Sequence, residues 1–232
     1  MTGQIPFAKR RVALACAAAA LILVPFAILV LLVTAASSPL IRADHRVTNS
    51  LHDFAVTHPN FTALMKGVST VGGPVGWWVV LSALFGWLLY RRRARLAAFV
   101  AVTALGSAVL NHLVKSAVDR ARPHLSDPVA MAAGKSFPSG HAQATTVGCG
   151  ILLVIFLPMV SRPHRLWLWV AAGVVVTAVA FSRVALGVHF VSDVIGGVIL
   201  GAAWVLAMAA AFDAWPTRTG AGPPVRRDLT DA

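Results

Sequence analysis

The 232-residue chain has no glutamate, a single tyrosine and two cysteines, and only 12% of its residues are charged. Each scarcity excludes something. Cys16 and Cys149 both fall inside apolar runs, so neither a disulfide framework nor a zinc-type cysteine spacing is on offer. The acids are Asp44, Asp53, Asp119, Asp127, Asp193, Asp213, Asp228 and Asp231, and no pair of them reads as a helical carboxylate metal site. The expected chemistry therefore uses no metal and no other cofactor. His45, His52 and His58 fall roughly on one helical face, but no cysteine or glutamate completes a zinc set around them.

What is present in excess is apolar surface, 58% of all residues. Uncharged runs at Val12–Ala36, Gly72–Tyr90, Leu96–Val114, Ala142–Val160, Leu166–Phe181 and Val194–Phe212 each approach the roughly 20 residues needed to cross a hydrocarbon core. The pattern predicts an all-α integral membrane protein, a bundle of six transmembrane helices occupying residues 1–216. The fifth run is short for a span and is expected to continue past Arg183 towards Gly187, which puts a charge inside the end of a helix, where charges are expensive and usually functional. The first run follows Lys9-Arg10-Arg11 and is longer than a signal-peptide core, so it reads as a retained span. Residues 217–232 carry Gly, Pro and charge without periodicity and are expected to be a disordered cytoplasmic tail.

The net charge of +12 is distributed by topology. With six spans, Lys9, Arg10, Arg11, Arg91, Arg92, Arg93, Arg95, Arg162, Arg165, Arg218, Arg226 and Arg227 lie on the side of the termini, twelve of the twenty basic residues. That bias makes the terminal side cytoplasmic in a cell membrane. It also removes the case for nucleic acid as a partner, since no basic stretch is interleaved with stacking aromatics. Most tryptophans sit near span ends, as in an interfacial belt. Between the first two spans, residues 37–71 are too long for a turn. Leu51, Phe54, Ala55, Phe61, Leu64, Met65 and Val68 recur at helical intervals on either side of Pro59, predicting two short amphipathic helices on the outer surface, either flanking a lipid entrance or packing on the bundle.

Three polar clusters interrupt this apolar background: Lys115-x6-Arg122-Pro123, Pro138-Ser139-Gly140-His141, and Ser182-Arg183-x5-His189-x3-Asp193. All three fall on the outer side. His189 and Asp193 are four residues apart, a spacing that lets one helical face hold an imidazole by its Nδ1–H and leave Nε2 as a nucleophile towards phosphorus. Pro-Ser-Gly before a span presents a hydroxyl and free N–H groups at a helix N-terminus, an anion site beside which His141 can act as acid and then base. Lys115, Arg122 and Arg183 supply cations for a phosphate, the arginines in planar, bidentate form. Each cluster alone has a plainer reading, as snorkelling cations, a common helix start, or an interfacial histidine beside a capping aspartate. Their conjunction points to one composite site.

In order and spacing these residues resemble the signature of the type-2 phosphatidic-acid phosphatase superfamily of membrane lipid phosphatases. The likeness covers motifs at 115–123, 138–141 and 182–193. It implies a phosphohistidine mechanism with His189 as nucleophile, Asp193 orienting it and His141 protonating the leaving group. It assigns Lys115, Arg122, Ser139, Gly140 and Arg183 to phosphate binding. The implied partner is a phospholipid or polyprenyl pyrophosphate held in the bilayer, with undecaprenyl pyrophosphate favoured over phosphatidic acid or phosphatidylglycerophosphate. A lipid-linked phosphotransferase would use the same phosphohistidine. His112 is expected to pack within the bundle, Asp119, Arg120 and His124 to be solvated loop residues, and Ser182 to make a local hydrogen bond.

Overall fold

The computed structural model describes residues 24–35 and 38–214. Among them every regular element is helical: α1 over Val24–Thr34, α2 Pro39–Thr57, α3 Pro59–Val71, α4 Pro74–Tyr90, α5 Ala94–Val118, α6 Gly140–Phe156, α7 Arg165–Ala185 and α8 Val191–Ala214, with two short 3-10 turns between α6 and α7. Three helices start on a proline, whose fixed φ suits the first helical turn and whose missing N–H is not needed there. Lys9-Arg10-Arg11, Cys16, the first half of the first apolar run and the tail 217–232 lie outside the described residues.

Five stretches are long and apolar enough to cross a membrane, or six if the pair α1 and α2, bent by 81°, counts as one. The second to sixth predicted runs each become part of one such stretch. The fifth does extend past Arg183, as α7 ends at Ala185. The second is longer than expected, because α3 and α4 run on as one stretch of 32 residues, Pro59–Tyr90. At about 1.5 Å per residue that is about 48 Å, longer than a perpendicular crossing of a hydrocarbon core of about 30 Å requires.

The break at Pro59 is where the sequence places it, but the side that α2 turns to the bundle is largely polar. Its buried residues are Asp44, Thr48, His52 and Ala55, while Val47, Phe54 and Val56 are exposed. Asp44, Thr48 and His52 recur every four residues on the face turned to the bundle, while the exposed face is mixed and also carries Arg42, His45, Arg46, Asn49, Ser50 and Asp53. Leu64 of α3 is likewise exposed, whereas Met65 is buried against Ala185, Leu186 and Val188.

The main core gathers Leu81, Leu84 and Leu88 of α4, Phe99 and Val100 of α5, Val147 and Ile151 of α6, and Val205 of α8. Cys149 packs nearby as a buried apolar residue. α6 packs most extensively against α8. That seam closes backbone to backbone: a Cβ on Gly197 would come within 2.5 Å of the Ser139 carbonyl oxygen, and one on Gly201 within 3.0 Å of that of Gln143. Residues on opposite sides of it are thus held at fixed separation.

Candidate active site

The C-terminal ends of α5 and α7 and the N-terminal ends of α6 and α8 meet at one end of the bundle, under the loop 119–139. There they line a cavity of about 640 Å³ whose wall includes Lys115, Arg122, Gly140, His141, Arg183 and His189, together with Ser69, Thr70, His112 and Ser116. Six of the eight residues singled out by the motifs thus face one space. Among the described residues, no group of three His, Cys, Asp or Glu side chains is arranged to hold a metal ion.

His189 reaches the cavity floor from the turn after α7. That turn ends the helix with paired bonds, Gly187 N–H to the Val184 carbonyl at 2.9 Å and Val188 N–H to that of Arg183 at 3.2 Å. It requires a left-handed residue at its second position, and Gly187 has φ +70°. The prediction that His189 and Asp193 share a helix needs correcting: α8 begins at Val191, so His189 precedes it and only Asp193 is in its first turn. The pair forms nonetheless, His189 Nδ1 lying 3.4 Å from Asp193 Oδ2.

Asp193 is fully buried and its carboxylate is saturated with donors. Oδ2 accepts from the Phe190 N–H at 2.9 Å and from the Ser136 hydroxyl, and Oδ1 accepts from Arg120 Nη1 at 2.7 Å. An ionised carboxylate only accepts, so the His189 nitrogen facing it carries the hydrogen. Nε2 then has a free lone pair, and it accepts from Arg122 Nη1 at 3.1 Å. The two contacts together assign the Nδ1–H tautomer. Burial pushes the His189 pKa down from 6.5 to about 4, outweighing the hydrogen bond and charge of Asp193, which act in the opposite direction.

The cations are held by the protein's own oxygens. Arg122 donates to the carbonyls of Val188 at 2.7 Å, Ala133 at 3.0 Å and Gly134 at 3.0 Å, which fixes the guanidinium beside Nε2. Burial lowers its pKa from the ordinary arginine value, while the charge of Asp193 works against that shift. Lys115 Nζ donates to the Lys135 carbonyl at 2.6 Å. Arg183, 7% exposed, donates through Nη1 to the Ser69 hydroxyl, and its Nε has no protein partner among the described residues.

His141 sits in the first turn of α6 beside Gly140 and, like it, lines the cavity. Its Nε2 lies so near the α3–α4 junction that a Cβ on Gly73 would come within 2.9 Å of it. Ser139 stands apart from the phosphate-binding role expected of it. It is fully buried and caps α6, its hydroxyl accepting from the Ala142 N–H at 3.5 Å while its own N–H donates to the Asp193 carbonyl at 2.9 Å.

Two sequence expectations fail here. His112 lines the cavity instead of packing in the bundle. Arg120 is not solvated: its side chain is only 10% exposed and pairs with both Asp193 and Asp44. Asp119 is exposed and pairs with Lys135, and Ser182 donates locally to the Val179 carbonyl at 2.7 Å, both as expected. Ser136, Ser69 and Asp44 escaped the sequence reading because their partners lie far away along the chain. The only visible hint was the polar stripe on α2.

A profile described as the PAP2 superfamily matches residues 95–216. The chain is 40% identical over 96 residues to phosphatidylglycerophosphatase B of Bacillus subtilis, covering 40% of this chain and 46% of that protein, so less than half of that relative is spanned. It is 32% identical over 164 residues to a decaprenylphosphoryl-5-phosphoribose phosphatase of Mycobacterium tuberculosis, covering 69% of this chain and 86% of the relative. An undecaprenyl-diphosphatase of Sulfolobus acidocaldarius is 26% identical over 174 residues, covering 72% and 79%. The crystal structure of a transmembrane PAP2-type phosphatidylglycerolphosphate phosphatase from Bacillus subtilis superposes with a TM-score of 0.74 at 25% identity, over 87% of this chain and 98% of that one.

Proposed function

Since the chain belongs to the PAP2 superfamily and is a multi-pass membrane phosphatase, we propose that it hydrolyses a lipid phosphate without a metal, through a phosphohistidine on His189, and that its substrate is undecaprenyl pyrophosphate. The observation that carries the reaction is the set of contacts at His189: Nδ1–H faces Asp193, Nε2 faces the cavity, and three cations surround the point of attack.

Arg122 Nη1 swings from the Nε2 lone pair to a phosphoryl oxygen, Nε2 attacks the terminal phosphorus, a P–N bond forms and the phosphoanhydride P–O bond breaks, and the leaving oxygen of the lipid monophosphate takes a proton from His141. Arg122, adjacent to Nε2 from the start, then lies beside the phosphoryl oxygens, where a planar guanidinium meets the charge that builds in the transition state. Lys115, Arg183 and the N–H groups at the start of α6 complete the cage. In the second half His141 takes a proton from water, the water oxygen attacks phosphorus and the P–N bond breaks, returning His189 and free phosphate. Lys115, Arg122 and Arg183 supply the positive charge that a metal ion would otherwise bring.

The preference for a polyprenyl lipid is supported by the relatives matched over more than two thirds of this chain, both named for polyprenyl substrates, and the choice of a pyrophosphate by the undecaprenyl-diphosphatase alone. Phosphatidylglycerophosphate is the second reading, favoured by the superposed Bacillus structure. The distribution of basic residues supports cytoplasmic termini and an active site on the outer face. Phosphate release from undecaprenyl pyrophosphate, phosphatidylglycerophosphate and phosphatidic acid, measured in detergent with EDTA for wild type and His189→Ala, tests the whole. Release by wild type alone, fastest from the first lipid, is expected. Equal release by His189→Ala removes the phosphohistidine, and faster release from either other lipid replaces the substrate.

A further inference from the structure

A buried network reaches the histidine–aspartate pair from the side opposite the cavity and belongs to none of the three motifs' assigned roles. Arg120 Nη1 donates to Asp193 Oδ1 and to the Ser192 hydroxyl, both at 2.7 Å, and Nη2 donates to Asp44 Oδ2 at 2.9 Å. Asp44, on α2 and 1% exposed, accepts in turn from Ser192, through its N–H at 3.0 Å and through its hydroxyl. The guanidinium stands 4.3 Å above the Phe190 ring. Asp44, Arg120, Ser192 and Asp193 thus close a ring of bonds behind the nucleophile.

We propose that Arg120, anchored by Asp44, is a positioning residue for the reaction: it fixes which oxygen of Asp193 faces His189 and thereby holds the tautomer that leaves Nε2 free to attack. This rests on the reading of His189 as nucleophile. With Oδ1 occupied by Arg120, the Phe190 N–H, the Ser136 hydroxyl and the His189 Nδ1–H converge on Oδ2. Without a cation at Oδ1, a fully buried carboxylate would take up a proton or rotate towards another donor, and the imidazole would lose its fixed acceptor.

Asp44 gives Arg120 its direction. A guanidinium bonded to Asp193 alone would be free to swing, whereas the second carboxylate holds the fork in one plane, a task that the point charge of a lysine cannot perform. Arg120 is absent from the cavity wall formed by Lys115, Arg122 and Arg183, so it acts on the nucleophile and not on the phosphate. The ring also ties α2 to the start of α8, so residues 39–57 are fastened to the catalytic machinery at Asp44.

The test compares wild type, Arg120→Met, Arg120→Lys and Asp44→Asn as full-length proteins in detergent, each also in an Asp193→Asn background. With undecaprenyl pyrophosphate, Arg120→Met is expected to lower kcat roughly 10- to 100-fold with KM within about threefold, as for a misaligned catalytic group. In the Asp193→Asn background the same change should cost less than about threefold, because the two residues act as one unit. Histidine 15N spectra, with the His189 signal identified by its disappearance in His189→Ala, should show the Nδ1–H tautomer in wild type and a mixture in Arg120→Met. An equal loss in both backgrounds, or an unchanged His189 signal, overturns the proposal. If wild type releases no phosphate while its His189 signal still responds to Arg120→Met, the functional reading fails and the positioning role stands. If Arg120→Met does not accumulate, Arg120→Lys and Asp44→Asn carry both measurements.

Discussion

Arg122 donates through Nη1 to Nε2 of His189 at 3.1 Å, so the attacking nitrogen of the resting protein is already in contact with a guanidinium. A protonated imidazole has no lone pair to accept that bond. The contact and the burial therefore favour the same neutral state.

A pH dependence of stability follows. His189 stays neutral in the folded protein down to about pH 4, while the unfolded chain takes up a proton near 6.5. Its contribution is intact above pH 6.5 and is lost as the pH falls through that window, by up to about 1.4 kcal/mol per pH unit. The melting temperature in detergent should fall between pH 7 and pH 5, and His189→Gln should shrink that fall. An identical fall in the variant would assign the acid sensitivity to other groups.

Asp193→Asn should leave inhibition by inorganic phosphate nearly intact while kcat drops by roughly 10²- to 10⁴-fold, since the amide can present a donor to Nδ1 and favour the wrong tautomer. Inhibition constants for phosphate, set beside kcat, separate binding from turnover. Unchanged turnover would remove Asp193 from the mechanism.

Ser69→Ala removes the hydroxyl that accepts from Arg183 Nη1. A hydrogen bond to a charged group contributes about 1.5–3 kcal/mol, so competitive inhibition by inorganic phosphate should weaken roughly 10- to 100-fold, with a smaller change in kcat. The reverse pattern would mean that Ser69 serves the chemical step instead.

Gly73→Ala places a Cβ within 2.7 Å of the Ser69 carbonyl oxygen and 2.9 Å of His141 Nε2. Displacing the proton donor by even part of an ångström should cost at least about tenfold in kcat with phosphatidic acid, whose leaving group is an alkoxide. With p-nitrophenyl phosphate, whose leaving group needs no proton, the loss should be much smaller. Equal losses on both substrates would place the damage elsewhere.

Activity should be unaffected by EDTA, because Lys115, Arg122 and Arg183 already supply the positive charge around the cavity. Loss of activity in EDTA, restored by added magnesium, would require a metal in the mechanism.

The sequence made the apolar architecture and the chemistry of the cavity legible for different reasons. Spans are written as runs of apolar residues, and membrane burial leaves few other ways to use them, so five of the predicted runs map onto crossing stretches. Lys115, Arg122, Gly140, His141, Arg183 and His189 were legible because their spacings at helix ends are local. Arg120 was not, because nothing in its neighbourhood announces that Asp44 lies opposite it in space. Ser139 caps α6, and in sequence a capping hydroxyl and a ligand hydroxyl look alike. The face that α2 turns to the bundle, with Asp44, Thr48, His52 and Ala55, was not legible because polar residues also fill its exposed side.

The seam between α6 and α8 bears on how such a protein can change over evolutionary time. Ser139, one peptide link before Gly140 and two residues before His141, is bonded through its backbone to Asp193, and Gly197 lets the two helices meet there with no side chain between them. The span between the proton donor and the nucleophile is consequently set by main chain, which drifts little when side chains are exchanged. The walls contributed by α3, α5 and residues 131–135 also include side chains outside those bonds, such as Thr70, His112, Ser116 and Met131. Lineages can therefore remodel the chamber for one lipid headgroup or another while inheriting the same ruler between the two histidines, in keeping with relatives named for such different lipids.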